Sequence, residues 1–458
     1  MRPYPARQVL RCELAWLPPG RVAADVTIVT DGATIVEVSE GGPAPAGAQQ
    51  LHGLVLPGLA NTHSHAFHRA LRGRTHAAGS GQGSFWTWRD QMYDVASRLD
   101  PDRYLTLARA VYAEMALAGI TSVGEFHYLH HAPAGRPYDD PNAMGHALVD
   151  AAHDAGLHIS LLDTCYLTGG IGQPLDGVQR RFGDGDAQRW ASRVEALRGP
   201  YDGRADVVIG AALHSVRAVP VEQMPTVVAW AANAAAPLHA HVSEQTAEND
   251  ACLSAYGVTP TRLLRDRGAL GPRTTAVHAT HLTAEDVSLL GESWTSACFC
   301  PTTERDLADG VGPAVALRDA GARLTLGSDS HAVIDLFEEA RAVELDTRLV
   351  TGRRGHFQVA ELLDAATAAG HDRLGFSNAG RLEIGCRADL VAVRLDSVRT
   401  SGPAQAAGSN AAAETVVFAA TAADVTDVIS AGRHIVEGGR HALGDVGLLL
   451  RNAIQQLR

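Results

Sequence analysis

The sequence contains no lysine; all 39 of its basic residues are arginine. That absence removes whole chemistries. A Walker phosphate loop needs G-K-[ST]. A Schiff-base or pyridoxal enzyme needs a lysine amine. No carboxylated lysine can bridge a pair of metals. Cysteine is also scarce. The six residues, at 12, 165, 252, 298, 300 and 386, are scattered and form no C-x-x-C pair. Cys298 and Cys300 share a strand face and read as small buried hydrophobes, which suits a reducing cytoplasm. No run of about 20 apolar residues is present, so no membrane span is expected. The opening "MRPYPARQVLRCELAW" has no apolar core before a cleavage site, so no signal peptide is expected and the protein is read as cytoplasmic. The net charge of -12 argues against a nucleic-acid partner, which calls for a basic surplus. A small anion remains possible, because a few local arginines can hold carboxylates.

Histidine, by contrast, is plentiful. With 21 in 458 residues, chance alone places about one H-x-H pair in such a chain. The pair His63–His65 in "NTHSH" therefore means little until the rest of the chain is read. Eight short apolar runs each end in chemically capable residues: "LVLPGLANTHSH", "GITSVGEFHY", "LHISLLDTCY", "VVIGAALHSVR", "APLHAHVSE", "TAVHATH", "SACFCPTT" and "RLTLGSDSH". Between them lie segments of helical period, such as 102–118 and 141–156. This alternation predicts an α/β fold, a (β/α)8 TIM-like barrel over residues 57–377. Residues 20–40, 388–396 and 425–440 alternate like strands. They predict a small β-sandwich domain formed from both chain termini, 1–56 and 378–458. The Gly/Ala/Ser-rich stretch 400–413 reads as a loop or linker. The Gly-rich "GGIGQPLDG" at 169–177 reads as a flexible loop rather than a phosphate cradle.

In barrels of this kind the active site lies at the C-terminal strand ends. Residues i and i+2 of a strand share a face, so His63 and His65 aim together into the mouth. His241, His278 and Asp329 stand at later strand ends, with Glu244 just beyond His241. Zinc takes neutral imidazoles and carboxylates with one position left for water. His241 is preferred over His239 by its spacing to Glu244, and His278 over His281 by its place at the strand end. His127, His130 and His131 form a second cluster, read as loop histidines rather than a second metal site. Trp86 and Trp88 read as lid or core packing.

"PGLANTHSH", the His–Glu pair at 241 and 244, the later His and the Asp of "GSDSH" together resemble the amidohydrolase superfamily. "HSHAFHRAL", "SFWTWRDQMY", "TSVGEFHYLHH", "GVQRRF", "LHSVRAV" and "CPTTERDLADG" narrow the likeness to the formimidoylglutamate deiminases of histidine degradation. The resemblance implies one zinc held by His63, His65, His241 and Asp329, which agrees with the missing lysine. It implies Asp329 as the base for water, His278 beside the tetrahedral intermediate and Glu244 as proton donor. It implies a dicarboxylate substrate held by Arg89, Tyr128, His214 and Arg217, and a homodimer. The family carries Gln where this chain has His68; a histidine there could also hydrogen-bond a carboxylate. Two rivals stand beside this reading. A one-zinc aminohydrolase of guanine, cytosine or an adenosine derivative would share the metal set but not need the arginines. A scaffold barrel would lack the ligands. Arg89 and Arg217 could also be plain surface arginines paired with acids.

Overall fold

The computed structural model describes residues 7–74, 85–402 and 409–457, the side chains of 85–87 excepted. Eight parallel strands run in sequence order around a barrel: β5 (Leu59–Ser64), β6 (Ile120–His127), β7 (His158–Cys165), β8 (Val207–Leu213), β9 (Leu238–Val242), β10 (Thr274–His278), β11 (Ser296–Phe299) and β12 (Leu324–Leu326). Each of the eight apolar runs contains one barrel strand, and the first also holds the end of β4 (Gln49–Pro57) of the terminal sheet. β6 and β7 are buried at every residue, as a parallel strand covered by helices on one side and packed on the barrel axis on the other must be. The ring closes where Ser64 bridges Asp329 in parallel. There Asp329 N–H donates to the His63 carbonyl at 3.0 Å, and His65 N–H donates to the Asp329 carbonyl at 3.2 Å. Asn61 ties the same seam through Ser328, accepting from its N–H at 2.9 Å and donating to its Oγ at 2.7 Å.

The helices follow from simple signals. Pro101–Leu117 starts on Asp100, whose side chain accepts from Arg103 N–H, and Pro fits the first helical position. Its buried face, Tyr104, Leu107, Ala108, Val111 and Met115, has the spacing of one helical stripe. The helix Ala143–Ala155 ends at Gly156 with φ of 81°. A Cβ there would lie 2.5 Å from Ile435, so only glycine permits both the left-handed cap and the contact with the terminal sheet.

A second sheet joins both ends of the chain: β1 (Arg7–Leu17), β2 (Arg21–Asp31), β3 (Thr34–Glu40) and β4 (Gln49–Pro57) with β13 (Leu390–Val393), β14 (Val425–Ser430), β15 (Arg433–Glu437) and β16 (Arg440–His441). β4 and β13 pair antiparallel at its centre. Leu54, Leu56, Val391 and Val393 pack into the same core as barrel residues Leu59 and Val123, whereas Leu10, Cys12, Ile28, Ile35 and Val55 form a separate core. The stretch expected to be a linker is not wholly one. Residues 403–408 lie outside the described residues, but Ala411–Ala419 is an α-helix. "AAAETVVFA" buries Ala412, Ala413, Val416 and Val417, and alanine is the best helix former.

Candidate metal-dependent active site

The strand ends gather the predicted residues. His63 Nε2 lies 3.0 Å from Asp329 Oδ1 and 3.1 Å from His241 Nε2. His65 Nε2 lies 3.4 Å from the same Asp329 oxygen. Backbone carbonyls fix the tautomers. His65 Nδ1 faces the Phe126 carbonyl at 2.9 Å, and His241 Nδ1 faces the His214 carbonyl at 2.9 Å. A carbonyl only accepts, so both Nδ1 atoms carry hydrogen and both Nε2 lone pairs point at Asp329 and His63. A proton on His63 Nε2 would serve one of these contacts and leave the others lone pair against lone pair. A cation reconciles all of them, and imidazole nitrogens with a carboxylate oxygen suit a divalent ion such as zinc. Burial also pushes the imidazoles down: His63 and His241 below their usual value, and His65 to about 3. They are therefore neutral, as ligands must be. Although burial opposes its ionisation, the His63 imidazole beside it holds Asp329 well below the usual carboxylate range.

One potential ligand atom from each of His63, His241, His278 and Asp329 falls within 4.8 Å of the others. His278 thus stands within ligand reach as well, in the role sequence had kept for proton handling, and His65 lies outside that tighter set. Two features hold His278 apart from the imidazole trio. Its Nδ1 is 3.4 Å from Glu304 Oε1 and its Nε2 is 3.8 Å from Glu244 Oε1. Burial disfavours its charge, but Glu244, Glu304 and Asp329 together raise it well above the usual value. Burial raises Glu244 in turn. Backbone strain marks the same place. Ser243, His278 and Asp329 have φ of 52°, 68° and 40°, a region that non-glycine residues rarely occupy. Glu125 secures the turn between the paired histidines, accepting from Ser64 Oγ at 2.7 Å and Ala66 N–H at 2.7 Å.

One cavity is lined by His65, His241, His278, Asp329 and Glu244 together with all five expected substrate contacts: His68, Arg89, Tyr128, His214 and Arg217. His68 Nε2 is 2.9 Å from the Tyr128 hydroxyl. Arg217 is no surface arginine. Its Nε donates to Glu248 Oε2 at 2.8 Å, and Glu248 also accepts from Ser243 N–H at 3.0 Å. The Arg89 guanidinium lies 5.6 Å from the Tyr93 ring centre. Trp88 forms part of the wall, its ring edge-on to His68 with centroids 5.1 Å apart; the side chain of Trp86 is outside the described residues. Sequence reasoning missed Glu248, Glu304, Tyr93 and Tyr166. Only Glu248 carried a faint signal, one helical turn beyond Glu244.

His127, His130 and Asp163 make a second group with metal-ligand geometry; its close contacts are accounted for without a cation, and only His127 Nδ1 among their ring nitrogens lacks a partner. His130 Nε2 donates to the Thr164 carbonyl at 3.0 Å, so its Nδ1 accepts from His127 Nε2 at 3.3 Å. Asp163 accepts from both Arg193 Nη atoms at 2.8 Å and from Trp190 Nε1 at 3.0 Å. His130 and His131 lie in the loop after β6, as expected, but His127 is the last residue of that strand, and all three are buried.

Neutral imidazoles and one carboxylate at the mouth of a (β/α)8 barrel form a candidate metal site of the kind a hydrolase can use. Residues 54–435 match the model of the amidohydrolase family, and the chain belongs to that family, as a hydrolase of C–N bonds. It is 38% identical over 404 residues to a formimidoylglutamate deiminase of Pseudomonas aeruginosa, covering 86% of this chain and 87% of that protein. It is 33% identical over 398 residues to an 8-oxoguanine deaminase of the same organism, with 84% of each chain covered. An amidohydrolase crystal structure from Brucella melitensis superposes with a TM-score of 0.91 at 32% identity, over 98% of this chain and 99% of that one.

Proposed function

We propose that this protein hydrolyses N-formimino-L-glutamate to N-formyl-L-glutamate and ammonia, as a zinc-dependent deiminase of histidine degradation. The observation that carries the reading is the wall of the cavity. Arg89 and Arg217 line the same space as the imidazoles and Asp329, and guanidinium forks suit carboxylates. A purine needs no such pair. The relative at 38% identity, which acts on this substrate by name, supports the same choice over the 8-oxoguanine deaminase at 33%.

His63, His65, His241 and Asp329 would hold the zinc, which when bound makes water nucleophilic at a pKa of roughly 7. Asp329, ionised and aimed into the site, accepts the proton of the attacking water. Water adds to the formimino carbon. His278, held charged by its three carboxylate neighbours, donates to the developing negative charge. Glu244, whose carboxyl burial raises above its usual value, gives a proton to the departing nitrogen. As the C–N bond breaks, the hydroxyl proton returns to Glu244, the proton held by Asp329 completes the departing ammonia, and the formyl C=O remains. Arg89, Arg217, Tyr128 and His214 orient the two carboxylates, with His68 set against the Tyr128 hydroxyl. Arg217 can do so because Glu248 occupies its Nε and no described residue accepts from its Nη groups. The working form is proposed to be a cytoplasmic homodimer. No helix among the described residues is long and apolar enough to cross a membrane.

The test is ammonia release by zinc-loaded protein from N-formimino-L-glutamate, with N-formimino-L-aspartate, guanine, 8-oxoguanine and cytosine in parallel. Turnover of the glutamate compound alone supports the reading. Turnover of a purine with silence on both linear amidines overturns it.

A further inference from the structure

Gln179 sits in the short 3-10 helix Gly177–Arg181, behind the cavity wall and buried. Its Oε1 faces the backbone N–H of Asp176 at 3.1 Å. A backbone amide can only donate, so the oxygen is fixed on that side and the NH2 group on the other. That nitrogen lies 2.9 Å from the Tyr93 hydroxyl and 3.3 Å from the Tyr166 hydroxyl. An amide nitrogen offers no lone pair, so both phenol oxygens accept from it. Each phenol hydrogen must then point elsewhere, and no acceptor for either is found among the described residues. Both tyrosines line the cavity that holds Arg89 and Arg217. Burial raises the Tyr166 phenol above its usual value, so it keeps its proton.

We propose that Tyr93 and Tyr166 donate their hydroxyl hydrogens to a carboxylate of the substrate, and that Gln179 is the positioning residue that turns both donors outward. The proposal rests on the dicarboxylate reading above and deepens it. Two guanidinium groups alone match the charge of a dicarboxylate. Two fixed O–H donors add direction, since each must meet a lone pair along one line.

The experiment is titration calorimetry of glutarate into the zinc-loaded protein and its Tyr93→Phe, Tyr166→Phe and Gln179→Met variants, with kinetics on N-formimino-L-glutamate beside it. Each phenylalanine is expected to weaken glutarate by about tenfold, the value of one hydrogen bond to a charged group. The kinetic loss should fall on KM rather than kcat. Gln179→Met should weaken glutarate similarly in the native background but by less than about twofold in the Tyr93→Phe/Tyr166→Phe protein, because its effect runs through those hydroxyls. A merely structural wall would instead give additive losses and a lower melting temperature. Wild-type binding of glutarate that none of the variants weakens overturns the proposal and leaves the substrate reading intact. Weakened glutarate binding without turnover of the formimino compound keeps the proposal and removes that substrate. A wild type that neither binds glutarate nor turns over the formimino compound removes both.

Discussion

The group of His63, His65, His241 and Asp329 and the group of His127, His130 and Asp163 both bury imidazoles beside a carboxylate, and they differ in where the lone pairs go. In the second group every close contact has a hydrogen in it, and Arg193 supplies the positive charge. Its guanidinium spans Asp163 and Asp184, with Nε donating to Asp184 Oδ1 at 2.8 Å. In the first group backbone carbonyls take the Nδ1 hydrogens of His65 and His241, and the Nε2 lone pairs converge with no arginine among them. Residue types alone do not separate a metal site from a structural network. The direction of each hydrogen does, and a cation of the protein's own either fills the place or leaves it for an ion.

The sharpest way to break this contrast is to replace each group's aspartate. Asp329→Asn keeps the shape but loses the charge and the base. Turnover should fall by at least about 10³-fold, with the melting temperature of the metal-free protein little changed; steady-state kinetics retaining a tenth of the native rate would remove the assigned role. Asp163→Asn should do the reverse. It leaves Arg193 buried against Asp184 alone, a loss on the order of 3–5 kcal/mol in denaturant stability, with bound metal measured by emission spectroscopy unchanged. If metal content drops instead, the second group is a metal site and the contrast fails.

Much of the first group was legible because strand-end position and period-two spacing are local properties. "NTHSH", "HAHVSE" and "GSDSH" each announce a strand and the residue at its mouth. The second group was half legible. Its histidines are adjacent in sequence, but Arg193 and Asp184, which explain why they can be buried, come from the helix Ala187–Arg198 and the turn before it. The Tyr93–Gln179 contact was illegible for the same reason, joining residues 86 apart through one amide whose orientation only the fold decides. Residues 411–413, which open the helix Ala411–Ala419, were misread because an alanine-rich run beside glycine and serine looks like a linker until a core is there to bury one of its faces.

Acid titration sharpens the contrast further. Folded imidazoles at the mouth have depressed values, His65 about 3, so the unfolded chain binds protons that the folded one refuses. Their contribution is fully present above the unfolded value of roughly 6.5 and is lost as pH falls from there toward about 3, at about 1.4 kcal/mol per pH unit for each group. Burial opposes the charge of Asp163, but Arg193 holds it below the usual carboxylate range. Its contribution therefore survives to about pH 4 and is lost only below that. In chelator-treated protein, His65→Asn should flatten the denaturant midpoint against pH between roughly 6.5 and 4, and Asp163→Asn should flatten it only further down. Coincident windows for the two variants would mean that the groups do not titrate separately.

The smallest effect concerns His68, which stacks near His65 with ring centroids 4.5 Å apart yet belongs to neither group. Burial holds it well below its usual value, so it is neutral and carries one N–H. Its Nε2 meets the Tyr128 hydroxyl, and its buried Nδ1 has no hydrogen-bond partner. If Nε2 carries the hydrogen, Nδ1 presents a lone pair that no carboxylate can use. Glutamine at this position could donate one amide hydrogen to the Tyr128 oxygen and still present its other N–H to a carboxylate. His68→Gln should therefore lower KM for N-formimino-L-glutamate by about threefold, the net worth of one added hydrogen bond, with kcat unchanged within error. A tenfold rise in KM would show the opposite tautomer, with Nδ1–H donating to the substrate, and would place this third buried imidazole among the carboxylate donors rather than beside them.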